Sequence, residues 1–158
     1  MHVSIQAVAD IFGVNNQLVE MAFKGVEDSD VNVRPENKGN SLQWLAGHII
    51  GSRYMLANIL GLDVSYPWEE LFNRGVKVTG DESYPPLDDM KKVWAEITAQ
   101  LTDRMETITE EELDEECRLK FPTSYKTKVG AVSFFALHEC YHIGQMFYVR
   151  RMLGYSGI

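Results

Sequence analysis

Two histidines lie four residues apart near the end of the sequence, in the stretch HECYH from His138 to His142. On an α-helix, residues i and i+4 project from nearly the same side, one turn apart, so both imidazoles can reach a single ion. Phe134, Phe135 and Val149 would share that side, which indicates that it faces the protein interior. The spacing therefore predicts part of a metal site.

A third histidine, His48, lies in the middle of a separate helical segment. Trp44, Leu45 and Met55 are predicted to share its apolar side, so His48 is also expected to point inward. Two helices that direct imidazoles to one point can hold one divalent metal ion and leave positions open for water, which is typical of catalytic sites. Zinc and nickel are our first expectation, and iron, cobalt or manganese would also suit three neutral imidazoles.

The same stretch matches the H-E-x-x-H motif of zinc proteases, in which the glutamate is the general base. Those enzymes take a third ligand from downstream of the motif. The sixteen residues after His142 contain no His, Asp or Glu. We therefore interpret the match as coincidental, while Glu139 stays a candidate catalytic residue that could contact water at the site. Cys140 falls roughly opposite the histidines on the helix, so a cysteine ligand is not expected.

Two neighbouring residues are candidates for contacts to a cofactor or to the ligand histidines. Gln145 could hydrogen-bond a ligand histidine or a bound water, and Trp44 could line the site. Both could equally be ordinary core residues, and inward histidines are often hydrogen-bonded core residues in a metal-free protein. Three of the four histidines in the chain are predicted to face inward, which favours the metal site.

Four segments with helical periodicity position these residues, and no segment has the alternation typical of a β-strand. The predicted helices cover residues 4–25, 41–60, 87–108 and 127–153, with Ser4 and Ser41 as candidate N-caps. Residues 61–86 are predicted to form a long crossover that contains a short helical turn at 68–73. The sequence thus predicts one all-α domain over residues 1–158, a four-helix bundle with a long crossover connection.

The composition narrows the classes of partner. The net charge of −8 and the pI of about 5.0 argue against a nucleic-acid surface, which needs clustered Lys and Arg. No apolar run approaches the roughly 18 residues needed to span a membrane. Two cysteines do not make a disulfide framework, and the N-terminus does not resemble a signal peptide, so we expect a cytoplasmic protein.

Two ordered stretches carry a resemblance to a known family. SLQWLAGHI around His48, followed far downstream by LHECYHIGQM, is similar to the DinB/YfiT-like superfamily, and the closing VRRMLG fits the same pattern. The resemblance covers essentially the whole chain. It implies a four-helix bundle, frequently a homodimer, with a metal bound by three histidines that match His48, His138 and His142. It also implies activities that include S-transfer to or from a low-molecular-weight thiol, such as bacillithiol or a glutathione-like cofactor.

Three functions fit these observations. We expect a metal-dependent enzyme with a small-molecule substrate, and thiol-dependent S-transfer is the first hypothesis because a metal lowers the pKa of a bound thiol. The first alternative is a metal-dependent hydrolase that uses a metal-bound water. The second is a stress-related metal-binding protein without catalysis.

Overall fold

Four long α-helices make up most of the described chain, which comprises residues 1–73, 75–76 and 83–157 of a computed structural model. The α-helices of this part are, in chain order, α1 (Val3–Phe23), α2 (Leu42–Ile59), α3 (Glu69–Phe72), α4 (Leu87–Thr107), α5 (Glu110–Leu113) and α6 (Lys128–Met152). The same residues contain no β-strand, only an isolated bridge between Glu116 and Thr127. None of their helices is long and apolar enough to cross a membrane. The all-α prediction is confirmed.

The four predicted helices correspond to α1, α2, α4 and α6, with ends that differ by no more than two residues. Ser41 caps α2 as predicted, because its hydroxyl accepts a hydrogen bond from the backbone N–H of Trp44 at 3.1 Å. The prediction that Ser4 caps α1 is wrong. The ring of His2 is the cap and accepts from the backbone N–H of Ser4 at 3.2 Å, since an imidazole nitrogen can serve as the acceptor in place of a hydroxyl.

Contacts between helix ends show that the bundle contains two parallel pairs. Arg150, near the end of α6, donates to the carbonyl of Lys24 just after α1, so α1 and α6 run parallel. At the start of α2, the Gln43 amide donates to the carbonyl of Pro85, which lies just before α4. At the other end, Arg104 of α4 donates to the carbonyl of Leu60 at 2.7 Å, so α2 and α4 are also parallel.

The parallel pairing of α2 and α4 accounts for the long connection that the sequence predicts. A segment that joins the end of one helix to the start of a parallel neighbour has to run back along the bundle. The short helix α3 lies in this segment, packs against α2 and agrees with the predicted helical turn. Residues 74 and 77–82 of the connection lie outside the described residues. That residues 1–158 form a single domain stays a prediction.

The core of α4 is periodic, whereas one prediction beside the histidines is wrong. In α4 the buried positions repeat at helical spacing and comprise Met90, Trp94, Ile97, Leu101 and Met105. Met55, predicted to share the buried side of α2 with His48, is instead 45% exposed. It lines an open cavity of about 600 Å³ beside α2, so its side chain stays accessible to solvent. The apolar spacing along α2 therefore includes a residue that the core does not bury.

Two glycines inside long helices have opposite environments, and this difference generates a stability prediction. A Cβ on Gly47 would lie 2.4 Å from the Phe72 ring, whereas a Cβ on Gly144 would meet nothing within 4 Å. We expect Gly47→Ala to destabilise the protein by about 1–3 kcal/mol through overpacking. Gly144→Ala should stabilise it by about 0.5–1 kcal/mol through helix propensity. Urea unfolding measures both, and equal effects of the two substitutions would contradict the close contact at Gly47.

Candidate metal centre

Three imidazoles from two antiparallel helices converge on one point. The Nε2 atom of His138 lies 3.3 Å from Nε2 of His48 and 3.1 Å from Nε2 of His142. The three potential ligand nitrogens all lie within 4.8 Å of one another. Of the described His, Cys, Asp and Glu residues, only these three form such a group, so no carboxylate or thiol joins the cluster.

Contacts behind two of the rings determine which nitrogen faces the cluster. Nδ1 of His48 lies 2.9 Å from the carbonyl oxygen of Phe72, and Nδ1 of His142 lies 2.8 Å from Oε1 of Gln145. Both oxygens are acceptors, so each Nδ1 carries the hydrogen and donates it. The Nε2 atoms of His48 and His142 are therefore unprotonated in the neutral rings, and their lone pairs point into the cluster.

This arrangement fits a divalent metal ion. If Nε2 of His138 carries a hydrogen, it can donate to only one of the two neighbouring Nε2 atoms, and the lone pair of the other points into the cluster without a donor. The Nδ1 atom of His138 is buried and has no hydrogen-bond partner among the described residues, so hydrogen bonding within this part of the protein does not explain the cluster. Ligands of a tetrahedral zinc ion with bonds of about 2.0–2.1 Å would lie about 3.3–3.4 Å apart, close to the observed spacing.

The pKa values of all three imidazoles are shifted in the direction that favours ligation. Burial lowers the pKa of His48, and its contact with the Phe72 carbonyl opposes part of this effect. Burial also lowers the pKa of His142, against the contact with Gln145. The pKa of His138 falls to about 4, because the ring is buried and lies beside the other two imidazoles. The rings are therefore neutral at pH 7, as ligands must be.

Aromatic side chains pack around the rings and hold them in place. Trp44 stacks on His48 with ring centroids 4.9 Å apart and planes inclined by 10°. The ring of Phe134 lies 5.8 Å from that of His138 and is itself stacked on Phe121. Trp44 is thus part of the site, where it fixes the plane of a candidate ligand.

Gln145 connects the cluster to the surface. Its side-chain oxygen accepts from His142, and its Nε2 donates to the hydroxyl of Tyr141 at 3.2 Å. Tyr141 is 62% exposed, so this chain of hydrogen bonds ends in solvent. The structure therefore brings Gln145 and Trp44 together with the three histidines.

Glu139 is not brought to the cluster. It is 1% exposed, and both of its carboxylate oxygens accept hydrogen bonds from Arg53 of α2, at 2.7 and 2.8 Å. A carboxylate in this bidentate ion pair is not free to act as a base on water beside the histidines. HECYH consequently matches the protease motif in sequence, but its glutamate does not lie beside the histidines. Cys140 is exposed and lies 3.4 Å from Asn15, away from the histidines.

Comparisons with known proteins identify the family of this chain and support its fold. A family model described as the DinB superfamily matches residues 12–146, which is most of the chain. The chain belongs to the DinB superfamily. The structure is also similar to that of YfiT from Bacillus subtilis, with a TM-score of 0.65, 14% sequence identity, and coverage of 95% of this chain and 87% of YfiT. YfiT is described as a probable metal-dependent hydrolase with an unusual four-helix bundle topology, and that bundle fold is shared. None of the curated proteins matches this DinB-superfamily chain.

Sequence reasoning missed three features that organise this DinB-superfamily site. Arg53 is the partner of Glu139, Phe72 supplies the carbonyl behind His48, and Gly47 leaves the space that the Phe72 ring fills. Two of them are visible in the sequence. An arginine is rarely buried unless it is paired, and a glycine inside a helix lowers helix stability, so both residues indicate a specific contact at their positions. A backbone carbonyl gives no such indication.

The ion pair generates a stability prediction. Glu139→Gln leaves the buried Arg53 guanidinium without a charged partner, which should lower the free energy of unfolding by about 3–5 kcal/mol. Replacing both residues, as Arg53→Met with Glu139→Leu, should cost less than Glu139→Gln alone. Exposed Glu106→Gln is the control and should change stability by no more than about 0.5 kcal/mol. Urea unfolding of the wild type and the three variants tests this, and equal stability of Glu139→Gln and the control would refute it.

The lowered pKa values generate a pH prediction. Protons compete with a metal for Nε2, and in the folded protein this competition starts below the ordinary imidazole pKa of about 6.5. We expect metal affinity to change little between pH 8 and 6.5 and to fall steadily from there to pH 4, through the pKa of His138. Calorimetric titration of the metal-free protein with zinc across this range measures the profile. A steep fall already between pH 8 and 7 would contradict it.

Proposed function

We propose that this protein is a metal-dependent hydrolase in which His48, His138 and His142 hold one divalent metal ion. The observation that carries the proposal is the convergence of their Nε2 atoms at 3.1 and 3.3 Å, with two Nδ1 atoms engaged behind them. The family match supports the site, and the description of the structurally similar YfiT supports the reaction class.

Three protein ligands leave coordination positions for other molecules, which distinguishes such a site from a closed structural one. When bound, a divalent metal supplies Lewis acidity, which activates water near neutral pH and polarises a carbonyl or ester. The surrounding residues supply orientation. The Phe72 carbonyl and the Trp44 ring fix His48, while Gln145 fixes His142, so the ligand set is organised before any ion arrives.

Proton transfer in this proposal uses the exposed end of the hydrogen-bond chain. The Tyr141 hydroxyl accepts from Gln145 and keeps its own proton free to donate to water or to a leaving group at the edge of the site. Glu139 is not assigned a role in catalysis, because Arg53 occupies both of its oxygens. The proposal therefore assigns no carboxylate of the described residues as the base.

Thiol-dependent S-transfer would use the same three histidines and stays a prediction from the family resemblance. The identity of the metal, the low-molecular-weight thiol, the small-molecule substrate, the homodimer and the cytoplasmic location also stay predictions. The hydrolase is placed first because YfiT, which has the same fold, is described in that way.

The proposal is tested by metal analysis and turnover of protein purified without a histidine tag. We expect about one divalent ion per chain in the wild type. His48→Ala and His142→Ala should weaken binding by more than the roughly 10–100-fold that is typical when only a contact behind a ligand is lost. His2→Ala is the matched control, because His2 lies at the start of α1, and it should keep the metal.

Hydrolysis of a panel of activated esters and amides by these variants then separates the functions. Metal-dependent hydrolysis that His142→Ala abolishes and His2→Ala retains supports the proposal. Metal binding with turnover only in the presence of an added thiol would replace it with S-transfer. Metal binding without either activity would favour the non-catalytic alternative. Metal-free protein would remove the basis of all three.

A further inference from the structure

The outer side of α6 is apolar, whereas a helix side that faces water is normally charged. Between Lys128 and Arg150 the sequence has one acidic or basic residue besides histidine, and this residue, Glu139, is buried. The exposed positions of α4, by comparison, include Lys92 and Glu96. A helix that is apolar on every side is typically buried. Within the described residues, one side of α6 nevertheless stays uncovered.

Four large side chains make up this uncovered side, which we call the α6 face. Leu137 is 69% exposed, Tyr141 and Tyr148 are each 62% exposed, and Met152 is 52% exposed. Their spacing of four, seven and four residues keeps them within about 60° around the helix axis. Large apolar side chains that are exposed singly need no explanation, but a continuous row of them indicates an interaction surface.

The spacing of the α6 face is the same in both directions along the helix. Leu137 and Met152 lie equally far from the midpoint of residues 137–152, and the same holds for Tyr141 and Tyr148. If a second copy packs antiparallel across a two-fold axis at this midpoint, Leu137 opposes Met152 of the partner subunit. Tyr141 then opposes the partner subunit's Tyr148. A two-fold interface requires this self-complementarity, which an unrelated partner does not. The pattern therefore indicates a second copy of this chain.

A hollow beside one end of the α6 face can receive the side chain from the other end. It lies beside Tyr148 and Met152, has a volume of about 310 Å³, and has Leu45 and Val149 among its lining residues. The antiparallel arrangement brings Leu137 of the partner subunit to this hollow. By symmetry, the same contact forms a second time at the opposite end of the interface.

We propose that two copies of this protein pair antiparallel through the α6 face, about a two-fold axis at the midpoint of residues 137–152. Each copy has a net charge of −8, and pairing on a face without carboxylates keeps the acidic surfaces apart. Gln145 links Tyr141 to His142, so the partner subunit's Tyr148 borders the candidate metal site. The proposal gives the expected homodimer a defined face and register, and it does not depend on the reaction.

Sedimentation velocity of the full chain at micromolar concentrations tests the interface. The wild type should have twice the chain mass of 18.0 kDa. Leu137→Lys should weaken association at least about 100-fold, because a two-fold interface contains the substituted contact twice. Leu119→Lys is the matched control, since Leu119 is also exposed, at 48%, and lies outside α6. This control should associate as the wild type does.

A charge pair tests the register. Met152→Glu alone should weaken association in the same way as Leu137→Lys. The double variant, Leu137→Lys with Met152→Glu, should associate at least about tenfold more tightly than either single variant, because opposite charges then meet twice across the axis. Positions 137 and 152 are about 22 Å apart along one helix, so the two charges cannot pair within a chain.

Three results would overturn the inference. One is a monomeric wild type. Another is equal association of Leu137→Lys and Leu119→Lys, which would place the interface on a different surface. The last is a double variant that associates no more tightly than the single variants, because the antiparallel register requires the two positions to meet.

Discussion

The ion pair between Arg53 and Glu139 is the contact on which the rest of the structure depends, because it joins all four long helices in the middle of the bundle. Arg53 of α2 holds Glu139 of α6, donates to Thr98 of α4 and to the carbonyl of Phe12 in α1, and stacks over the Trp94 ring at 3.6 Å. Both charged side chains are 2% exposed. Desolvation of two charges is costly, and only this complete set of partners offsets it. The pair thus selects one arrangement of the helices.

The same arrangement positions the histidines. Glu139 directly follows His138, and Arg53 lies five residues after His48, so the pair fixes the axial register of α2 against α6 next to the cluster. A shift of α2 by one turn against α6 would move the Nε2 atoms apart by about 5.4 Å. It would also leave two buried charges without partners. Stability and the candidate site therefore depend on one geometric constraint, and the site needs no separate device to align its helices.

The sequence was informative where the physics is local and periodic. Helical stripes predicted α1, α2, α4 and α6, and the spacing of His138 and His142 on one helix placed both on one side. Contacts between distant segments were beyond such reasoning. The partner of Glu139 lies 86 residues away, and the carbonyl behind His48 belongs to Phe72, 24 residues further along the chain. Met55 shows the converse error, because an apolar residue at the right spacing still needs an element to cover it.

The candidate ligands come from distant parts of the chain, and this separation couples ion binding to folding. His48 and His138 are 90 residues apart, so an ion held by both acts as a cross-link that closes a long loop. The unfolded chain does not present three converging nitrogens, and the free energy of ion binding is therefore added to the stability of the native state. In such a protein, the thermal midpoint of unfolding rises with the free concentration of the ion.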